Sequence, residues 1–362
     1  MQLTFSAQQR PVPHGGNAGP RAARGLSLVE LLVAVALGMF ILLAMIVLYG
    51  NVSRSNNEMT KTNQLIENGR FAMQLLQEDV QHAGFWGPLD ALTPTAVPDP
   101  CLSYGAWPTG APRDAYVINL LSVPVQGYSD GSIYATCGAS LASVLPKSDV
   151  LIVRHAATCV VGAGCEGAGD TGPHIQVSGC LTDPTQPAYV VETTADMDAR
   201  TPRIRTKGCV NEVPRRKVVT NIYYLANGAT GIPTLMRMSY ANGSFAAPQA
   251  LVEGIEAFKV EYGIDTLGSN GLAITASNPA DGNADVYQSC TAGTPCGVNE
   301  LTNVVSVKLH LLSRNLETTP GYTDDKAYAV GPLNIAAPND SYKRHVFSTT
   351  VRLVNPSSRR EL

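Results

Sequence analysis

The sequence predicts an α+β protein in which a long N-terminal helix, transmembrane at first and amphipathic afterwards, packs on a C-terminal antiparallel β-rich globular domain. Three features support this prediction. Residues 26–49 contain a single charged side chain, that of Glu30, and a helical repeat of apolar residues continues to position 83. From residue 216 onwards, several segments alternate apolar and polar residues with the period of a strand. Because 44% of the 362 residues are hydrophobic, enough apolar material remains for a core besides the membrane segment.

The first element is the apolar segment 26–49. Its roughly 24 residues form a helix of about 36 Å, which spans a hydrocarbon core of about 30 Å. Arg10, Arg21 and Arg24 precede it without any acidic residue. Since basic flanking residues stay on the cytoplasmic side, we expect residues 1–25 to be a cytoplasmic leader and the C-terminal bulk to lie across the membrane.

The junction between leader and helix has a distinctive order. A secretory signal carries its small-residue cleavage site after the apolar region, whereas Gly25 and Leu26 lie before it, with Glu30 shortly after. This order resembles the prepilin processing site of type IV pilins and type II secretion pseudopilins. The resemblance implies that a membrane prepilin peptidase cuts after Gly25 and methylates the new amino terminus at Leu26.

Glu30 is the one charge inside the apolar span. A charged side chain there costs about 2.5–3.5 kcal/mol on insertion scales, which makes Glu30 a candidate functional residue. By the resemblance to pilins, its carboxylate meets the N-terminal ammonium of a neighbouring subunit and sets the register between subunits. The alternative is that Glu30 lies at the headgroup level of an uncleaved anchor.

The helix is expected to continue beyond the membrane. Residues 51–81 contain no proline and one glycine, Gly69, and Ile66, Met73 and Val80 repeat every seven residues. This spacing gives an apolar stripe on one face. The pattern predicts one long helix over residues 26–85, ended by the glycines at 84 and 87.

A second motif lies on this helix. Residues 67–72 read E-N-G-R-F-A, and Asp79 and the A-G of residues 83–84 follow. This string resembles the PilW family of type IV pilus minor pilins. We interpret Arg70 and Asp79 as structural residues, which either pair with loops of the globular domain or lie on the solvated face of the helix.

Residues 86–215 are predicted to be a loop-rich, disulfide-stapled part of the globular head. Short strands are expected at 149–154 and, with weaker patterns, at 116–120 and 189–191. Cysteines of an exported protein favour disulfides. The eight cysteines allow 105 connectivities. Our hypothesis pairs neighbours in sequence: Cys159 with Cys165, Cys290 with Cys296, Cys101 with Cys137 and Cys180 with Cys209.

Residues 216–362 are predicted to form the antiparallel sheet of the head. Strands are expected at 216–225, 234–240, 304–312 and 347–353, with reversals at the Asn-Gly pairs 227–228 and 242–243. Residues 251–265 also look like the PilW family and the pseudopilin J component of type II secretion. That resemblance implies a short turn or helix at 252–257 that leads into a strand at 258–264.

Tests for chemistry favour a protein that is not an enzyme and has no cofactor. The chain has no G-x-S-x-G motif, and its six histidines form no H-E-x-x-H spacing. Asp281, Asn283 and Asp285 alternate like the start of a calcium loop, but Val286 and Ala292 replace the required glycine and glutamate. We keep these three residues as a weak calcium candidate, and favour a solvated turn.

Residues 200–217 contain a basic region, which is a candidate nucleic-acid site. Arg200, Arg203, Arg205 and Lys207 have no aromatic residue between them, and Glu212 separates them from the basic residues 215–217. The formal net charge of the whole chain is −3. We therefore expect a solvated edge strand and no nucleic-acid partner.

By family resemblance, the favoured hypothesis is a minor pilin that joins other minor pilins and the major pilin in a priming and tip complex. Such a protein would support pilus assembly, twitching motility and adhesion, with a tip adhesin as a further partner. It would be a single-pass protein of the bacterial inner membrane with a periplasmic C-terminal domain, and then part of the pilus. Two alternatives remain: a type II secretion minor pseudopilin, and a periplasmic domain on an uncleaved anchor.

Overall fold

A computed structural model describes residues 25, 27–129, 137, 141, 143–162, 170–291 and 294–361. The chain divides into two compact units, Met1–Asn57 and Glu58–Leu362. Described by itself, the first unit is helical from Leu28 onwards. The second contains the C-terminal part of the same helix and the β-rich domain.

The long N-terminal helix is confirmed. Helix α1 covers Leu28–His82, 55 residues, and its last part buries the apolar stripe that includes Met73 and Val80. The helix ends where Gly84 takes a φ of +72°, a left-handed conformation that side chains disfavour. The Gly84 amide then donates to the carbonyl of Arg154 at 2.9 Å, which turns the chain onto the sheet.

The remaining elements all belong to the second unit. The further helices are α2 (Ala111–Ser122), α3 (Thr194–Ala199), α4 (Val298–Thr302) and α5 (Val354–Arg360). The strands are β1 (Val125–Tyr128), β2 (Val150–Ala156), β3 (His174–Val177), β4 (Tyr189–Glu192), β5 (Arg216–Asn227), β6 (Pro233–Ala241), β7 (Ser244–Phe245), β8 (Gln249–Glu253), β9 (Ile255–Ile264), β10 (Val286–Gln288), β11 (Val304–Arg314), β12 (Tyr328–Val330), β13 (Leu333–Ile335) and β14 (Arg344–Arg352).

The strands form two main antiparallel sheets. The larger sheet has the order β1-β2-β5-β3-β4, with β6 also paired to β5, and β7 and β8 paired to β6. The smaller sheet has the order β10-β9-β11-β14, and β12 and β13 form a separate hairpin. Strand β5 pairs with strands from both sides of residue 215, so the predicted loop-rich part and sheet part share one sheet.

The main core lies between α1 and the two sheets. Ala72, Leu76 and Val80 of α1 are completely buried there. They share one cluster with apolar residues of the larger sheet, such as Leu151, and of the smaller sheet, such as Leu309. A second core covers the other face of the larger sheet, which explains why β5 reads as a nearly continuous buried run.

Three predictions about local structure were wrong. Residues 116–120 belong to helix α2 rather than to a strand, because Val117, Leu120 and Leu121 bury one helical face and Pro112 starts the helix. A short apolar run fits either period, and the packing decided between them.

The segment 252–257 also differs from its expected turn or helix. Strand β8 continues to Glu253 and β9 begins at Ile255, so a single residue, Gly254 with a φ of +83°, separates these strands of two different sheets. A Cβ there would lie 2.8 Å from the carbonyl oxygen of Arg314, which leaves room only for glycine. Finally, the basic residues 216–217 begin β5, a central strand rather than the expected edge strand.

Candidate functional site

The start of helix α1 is described from Ser27 onwards, with Gly25 before it, whereas Leu26 lies outside the described residues. The Ser27 hydroxyl accepts a hydrogen bond from the Glu30 amide at 3.2 Å. In return, Oε2 of Glu30 accepts from the Ser27 amide at 2.9 Å. This reciprocal pair is a capping box, which satisfies two amides at the helix start. Glu30 therefore has a structural role within a single chain.

The helix that follows has a large unburied apolar surface. Every large apolar side chain from Leu28 to Tyr49 is at least 48% exposed. By length and composition, α1 could cross a membrane. Exposed apolar surface on this scale needs lipid or neighbouring helices to cover it. The arrangement is therefore suited to a membrane and to packing among other helices.

In the second unit, Asp79 joins α1 to the larger sheet. Its carboxylate accepts hydrogen bonds from the Asn221 amide at 3.0 and 3.1 Å and from the Tyr223 hydroxyl at 3.0 Å. Nε2 of His155 lies 2.9 Å from Oδ1 of the same carboxylate. Asn221 is held in turn by the hydroxyl of Ser239 at 2.7 Å. Asp79 thus pairs with the globular domain through strands β2 and β5, whereas the predicted alternative named its loops.

The protonation of His155 follows from these contacts. Both ring nitrogens face acceptors, since Nδ1 lies 2.9 Å from the carbonyl of Ala156 and Nε2 faces Asp79. Burial lowers the pKa of His155, but the hydrogen bond to Asp79 and its negative charge outweigh this and raise the pKa above the ordinary value. The protonated imidazolium is therefore the form that satisfies both acceptors. Burial also raises the pKa of Tyr223, with the Asp79 charge acting in the same direction.

Gly69 explains part of the E-N-G-R-F-A string. A Cβ on Gly69 would lie 2.1 Å from Cε2 of Phe347, so the ring of Phe347 occupies the space that a side chain would fill. Asn68 donates to the carbonyl of Glu253 at 3.2 Å, which ties the helix to β8. Arg70 lies on the exposed face of the helix, as the other alternative had allowed. The sequence contained no signal that would have identified Phe347, His155 or Asn221 as partners.

Two buried ionic groups hold the smaller sheet in place. Nζ of Lys259 lies 2.8 Å from Asp149, and both side chains are about 5% exposed. The second oxygen of Asp149 accepts from the Val260 amide at 2.9 Å. Arg344, which is 1% exposed, contacts three carboxylates, those of Glu256, Asp324 and Asp340. Each charge has a partner, so these groups fit a structural role.

Three disulfides are present in the described residues: Cys101–Cys137, Cys180–Cys209 and Cys290–Cys296. They are three of the four pairings expected from the sequence. Cys159 is also disulfide-bonded, and its expected partner Cys165 lies outside the described residues.

The calcium candidate forms a turn. Oδ1 of Asp281 accepts from the Asn283 amide at 2.9 Å. Oδ2 of Asp285 accepts from the amides of Thr266 and Leu267 at 2.7 and 2.8 Å. These oxygens cap backbone amides, and within the described part of the chain no group of three or more metal-ligating side chains is found.

The basic region is paired internally. Arg203 and Arg215 both contact Asp198 and Glu212, and Arg200 contacts Glu192. The acidic partners neutralise much of the positive charge of this surface. A nucleic-acid backbone binds in a continuous positively charged groove. The acidic side chains between these arginines interrupt such a groove.

Two parts of the chain match known protein families. Residues 20–46 match the prokaryotic N-terminal methylation motif, and residues 222–355 match the family described as type IV pilus-assembly protein W. The second match runs from within β5 to the start of α5 and so covers the smaller sheet completely. No curated protein and no solved structure matches the chain.

An N-terminal methylation motif on a long apolar helix, followed by an antiparallel β-rich domain, defines the class of type IV pilin-like proteins. The chain is thus a type IV pilin-like protein of pilus assembly, and residues 222–355 are similar to the PilW family. These matches, with the exposed apolar helix, are consistent with a membrane-anchored pilin-like subunit that interacts with other pilus components.

Proposed function

We propose that this protein is a minor pilin of a type IV pilus, processed after Gly25. It joins other minor pilins and the major pilin in a complex that primes assembly and lies at the pilus tip, where it supports twitching motility and adhesion with a tip adhesin. The observation that carries this proposal is the methylation motif at 20–46 on a helix whose apolar residues are exposed. The match of the β-rich domain to a pilus-assembly family favours a pilus over a secretion system.

The proposed sequence of events begins in the inner membrane. Prepilin peptidase hydrolyses the peptide bond after Gly25, which removes the leader and leaves Leu26 as the first residue for methylation. The exposed helix then leaves lipid and packs among the helices of neighbouring subunits. Packing of this kind buries the same apolar surface without exposing it to water, so it carries little hydrophobic cost.

Glu30 would act at the assembly step. In the single chain, its carboxylate accepts from the Ser27 amide. The amino terminus created at Leu26 is a cation, and a desolvated ammonium stabilises a carboxylate that approaches it. We propose that Glu30 contacts the N-terminal ammonium of a neighbouring subunit and so sets the axial register.

The first test is the N-terminal sequence and mass of the membrane-extracted protein, expressed with and without the host's prepilin peptidase. We expect a chain that begins at Leu26 and carries one N-methyl group only when the peptidase is present. The matched control is Gly25→Val, which should keep residues 1–25 in both cases. A wild-type chain that retains residues 1–25 with the peptidase present would overturn the proposal and leave an anchored periplasmic domain.

A further inference from the structure

Arg359, near the end of α5, is a cation without an acidic partner. Its Nη2 donates to the backbone carbonyl of Gly84 at 3.0 Å, where α5 packs on the end of α1. No carboxylate oxygen of the described residues lies within 4.0 Å of its guanidinium. Arg360, the next residue, does have such a partner, because its Nε donates to Oδ2 of Asp265 at 2.9 Å. The two neighbouring arginines thus differ in whether their charge is paired.

The surroundings of Arg359 disfavour a lone charge. Burial lowers the pKa of Arg359, and no neighbouring carboxylate offsets this effect among the residues that the structure describes. A guanidinium has several N–H donors, and the carbonyl of Gly84 accepts from only one of its nitrogens. Removing a charge from water without pairing it costs free energy, so charges in such surroundings usually have a partner. The described chain therefore leaves the pairing of Arg359 incomplete.

Arg359 lines a cavity between α5, the end of α2 and the loop that follows α1. The cavity has a volume of about 100 Å³, and its wall includes Leu121, Ser122 and Thr302. The hydroxyl oxygen of Ser122 is buried and has no hydrogen-bond partner in the described part of the chain. One water needs about 10–15 Å³, so the cavity has room for a larger polar group. It therefore combines free space with two donors that have unused hydrogen-bonding capacity.

A groove continues from this cavity along the surface. It has a volume of about 500 Å³ and shares Leu89, Asp90, Ala91 and Arg359 with the cavity. Val354, which also lines the groove, is 56% exposed. A free small acid would leave this apolar part uncovered, whereas the residues beside an acidic side chain in a protein would cover it. The groove therefore favours a protein segment over a free small acid.

We propose that this cavity and groove bind an acidic side chain of another subunit of the pilus assembly, and that Arg359 and Ser122 donate hydrogen bonds to its carboxylate. A carboxylate accepts hydrogen bonds at two oxygens and donates none, which matches two donors on one cavity wall. Arginine pairs with carboxylates through two parallel N–H bonds and is enriched in interfaces. Apolar residues of the partner lie beside the acid, along Leu89 and Val354. The inference rests on the proposed function for the identity of the partner.

The first experiment tests whether Arg359 lacks a partner in the isolated chain. Thermal unfolding of the full chain in detergent compares Arg359→Met with Arg360→Met. We expect Arg359→Met to unfold at the temperature of the unchanged chain or above it, because the substitution removes an unpaired, desolvated charge. Arg360→Met should unfold at a lower temperature, because Asp265, which is 0% exposed, loses its cation. A loss of stability in Arg359→Met as large as that in Arg360→Met would overturn the proposal.

The second experiment identifies the occupant in cells by photo-cross-linking. The photoreactive amino acid p-benzoylphenylalanine replaces Ser358, an exposed residue of the groove, and mass spectrometry identifies the cross-linked peptides. We expect a cross-link to a peptide of another pilus subunit that contains an aspartate or a glutamate. If the photoreactive residue prevents incorporation of the chain, it is placed instead at Val354, which lines the same groove.

The dependence of this cross-link on charge is the decisive measurement. Adding Arg359→Met should lower its yield about tenfold or more, which corresponds to about 1.4 kcal/mol. The matched control is Arg70→Met, at an exposed arginine of α1, which should leave the yield unchanged. Replacing the identified acid of the partner by its amide should lower the yield by the same factor as Arg359→Met. Combining both changes should cause no further loss, because they remove one shared interaction.

Three cross-linking results would overturn the proposal. They are a yield that does not depend on Arg359, a cross-link to a second copy of this chain, and no cross-link in a chain that enters pili, which would leave a free small acid as the ligand. Because N-terminal processing and incorporation are measured separately, each of these results leaves the proposed function standing. A chain that retains residues 1–25 with the peptidase present would instead contradict the proposed function and remove the assembly subunit as the partner.

Discussion

The parts of helix α1 before and after residue 58 contrast in how their apolar residues are covered. In residues 28–49, every large apolar side chain is at least 48% exposed. In residues 65–80, Leu65, Ala72 and Leu76 are 3% exposed or less, because the two sheets cover them. Lipid or neighbouring helices must cover the apolar side chains of the first part, whereas the chain's own sheets cover those of the second. A substitution in the first part should therefore affect assembly, and one in the second part should affect the stability of the fold.

The largest expected effect is that of Glu30→Ala on assembly. Under the proposed function, this substitution removes the carboxylate that sets the register and abolishes incorporation into the pilus. The protein should stay in the membrane in normal amounts, since the apolar span is unchanged. Immunodetection of the chain in sheared pili and in membranes measures both quantities. The matched control is Glu78→Ala, an exposed glutamate of the second part. Normal incorporation of Glu30→Ala would contradict the prediction.

Asp79→Ala should have the largest effect on the fold. It leaves His155, Asn221 and Tyr223 without their shared acceptor under the helix. Each buried polar group left without a hydrogen bond costs about 1–3 kcal/mol. We therefore expect Asp79→Ala to lower the free energy of unfolding by about 2–4 kcal/mol. Denaturant unfolding of the full chain in detergent measures it. The adjacent Glu78→Ala should change stability by less than about 0.5 kcal/mol. A loss no larger than that of Glu78→Ala would show that the Asp79 contacts do not stabilise the domain.

Gly69→Ala should destabilise the domain by about 1–3 kcal/mol, because the new methyl group overlaps the ring of Phe347. Gly50→Ala is the matched change in the first part, where nothing lies within 4 Å of the added Cβ. There, alanine should favour the helix by up to about 1 kcal/mol. Adding Phe347→Val to Gly69→Ala should recover part of the loss. Thermal unfolding of the three variants and the unchanged chain checks this. Equal behaviour of the two glycine substitutions would contradict the packing described for Phe347.

The smallest expected effect is a pH dependence of stability from His155. Its pKa in the folded protein is raised by Asp79. A group with a raised folded pKa contributes stability that is fully present below its unfolded pKa of about 6.5 and is lost as the pH rises through the folded pKa. The free energy of unfolding should thus decrease as the pH is raised above about 6.5. His155→Gln should remove this decrease, whereas a profile identical to that of the unchanged chain would show that His155 is not its source.

The two parts of helix α1 and their surroundings were not equally predictable from the sequence. The apolar run, its single glutamate and the basic leader are local features. They predicted the helix and its capacity to cross a membrane, and their order resembles that of type IV pilins. The strands with clear alternation, such as β11, were predicted for the same reason. Residues 116–120 were assigned to a strand and form a helix, because a short apolar run has no period of its own and the packing of Val117 and Leu120 decided it.

The sequence by itself determined the long helix and the β-rich domain, whereas the cysteine pairings were one hypothesis among 105 connectivities. These properties follow from periodicity, charge and spacing, which are local and readable along the chain. Only the tertiary structure decided that Asp79 binds His155, that Gly69 makes room for Phe347 and that β14 pairs with β11. Each of these depends on residues at least 30 positions apart in sequence. Their contact is set by strand order and register, which arise from the packing of the whole domain rather than from any single segment.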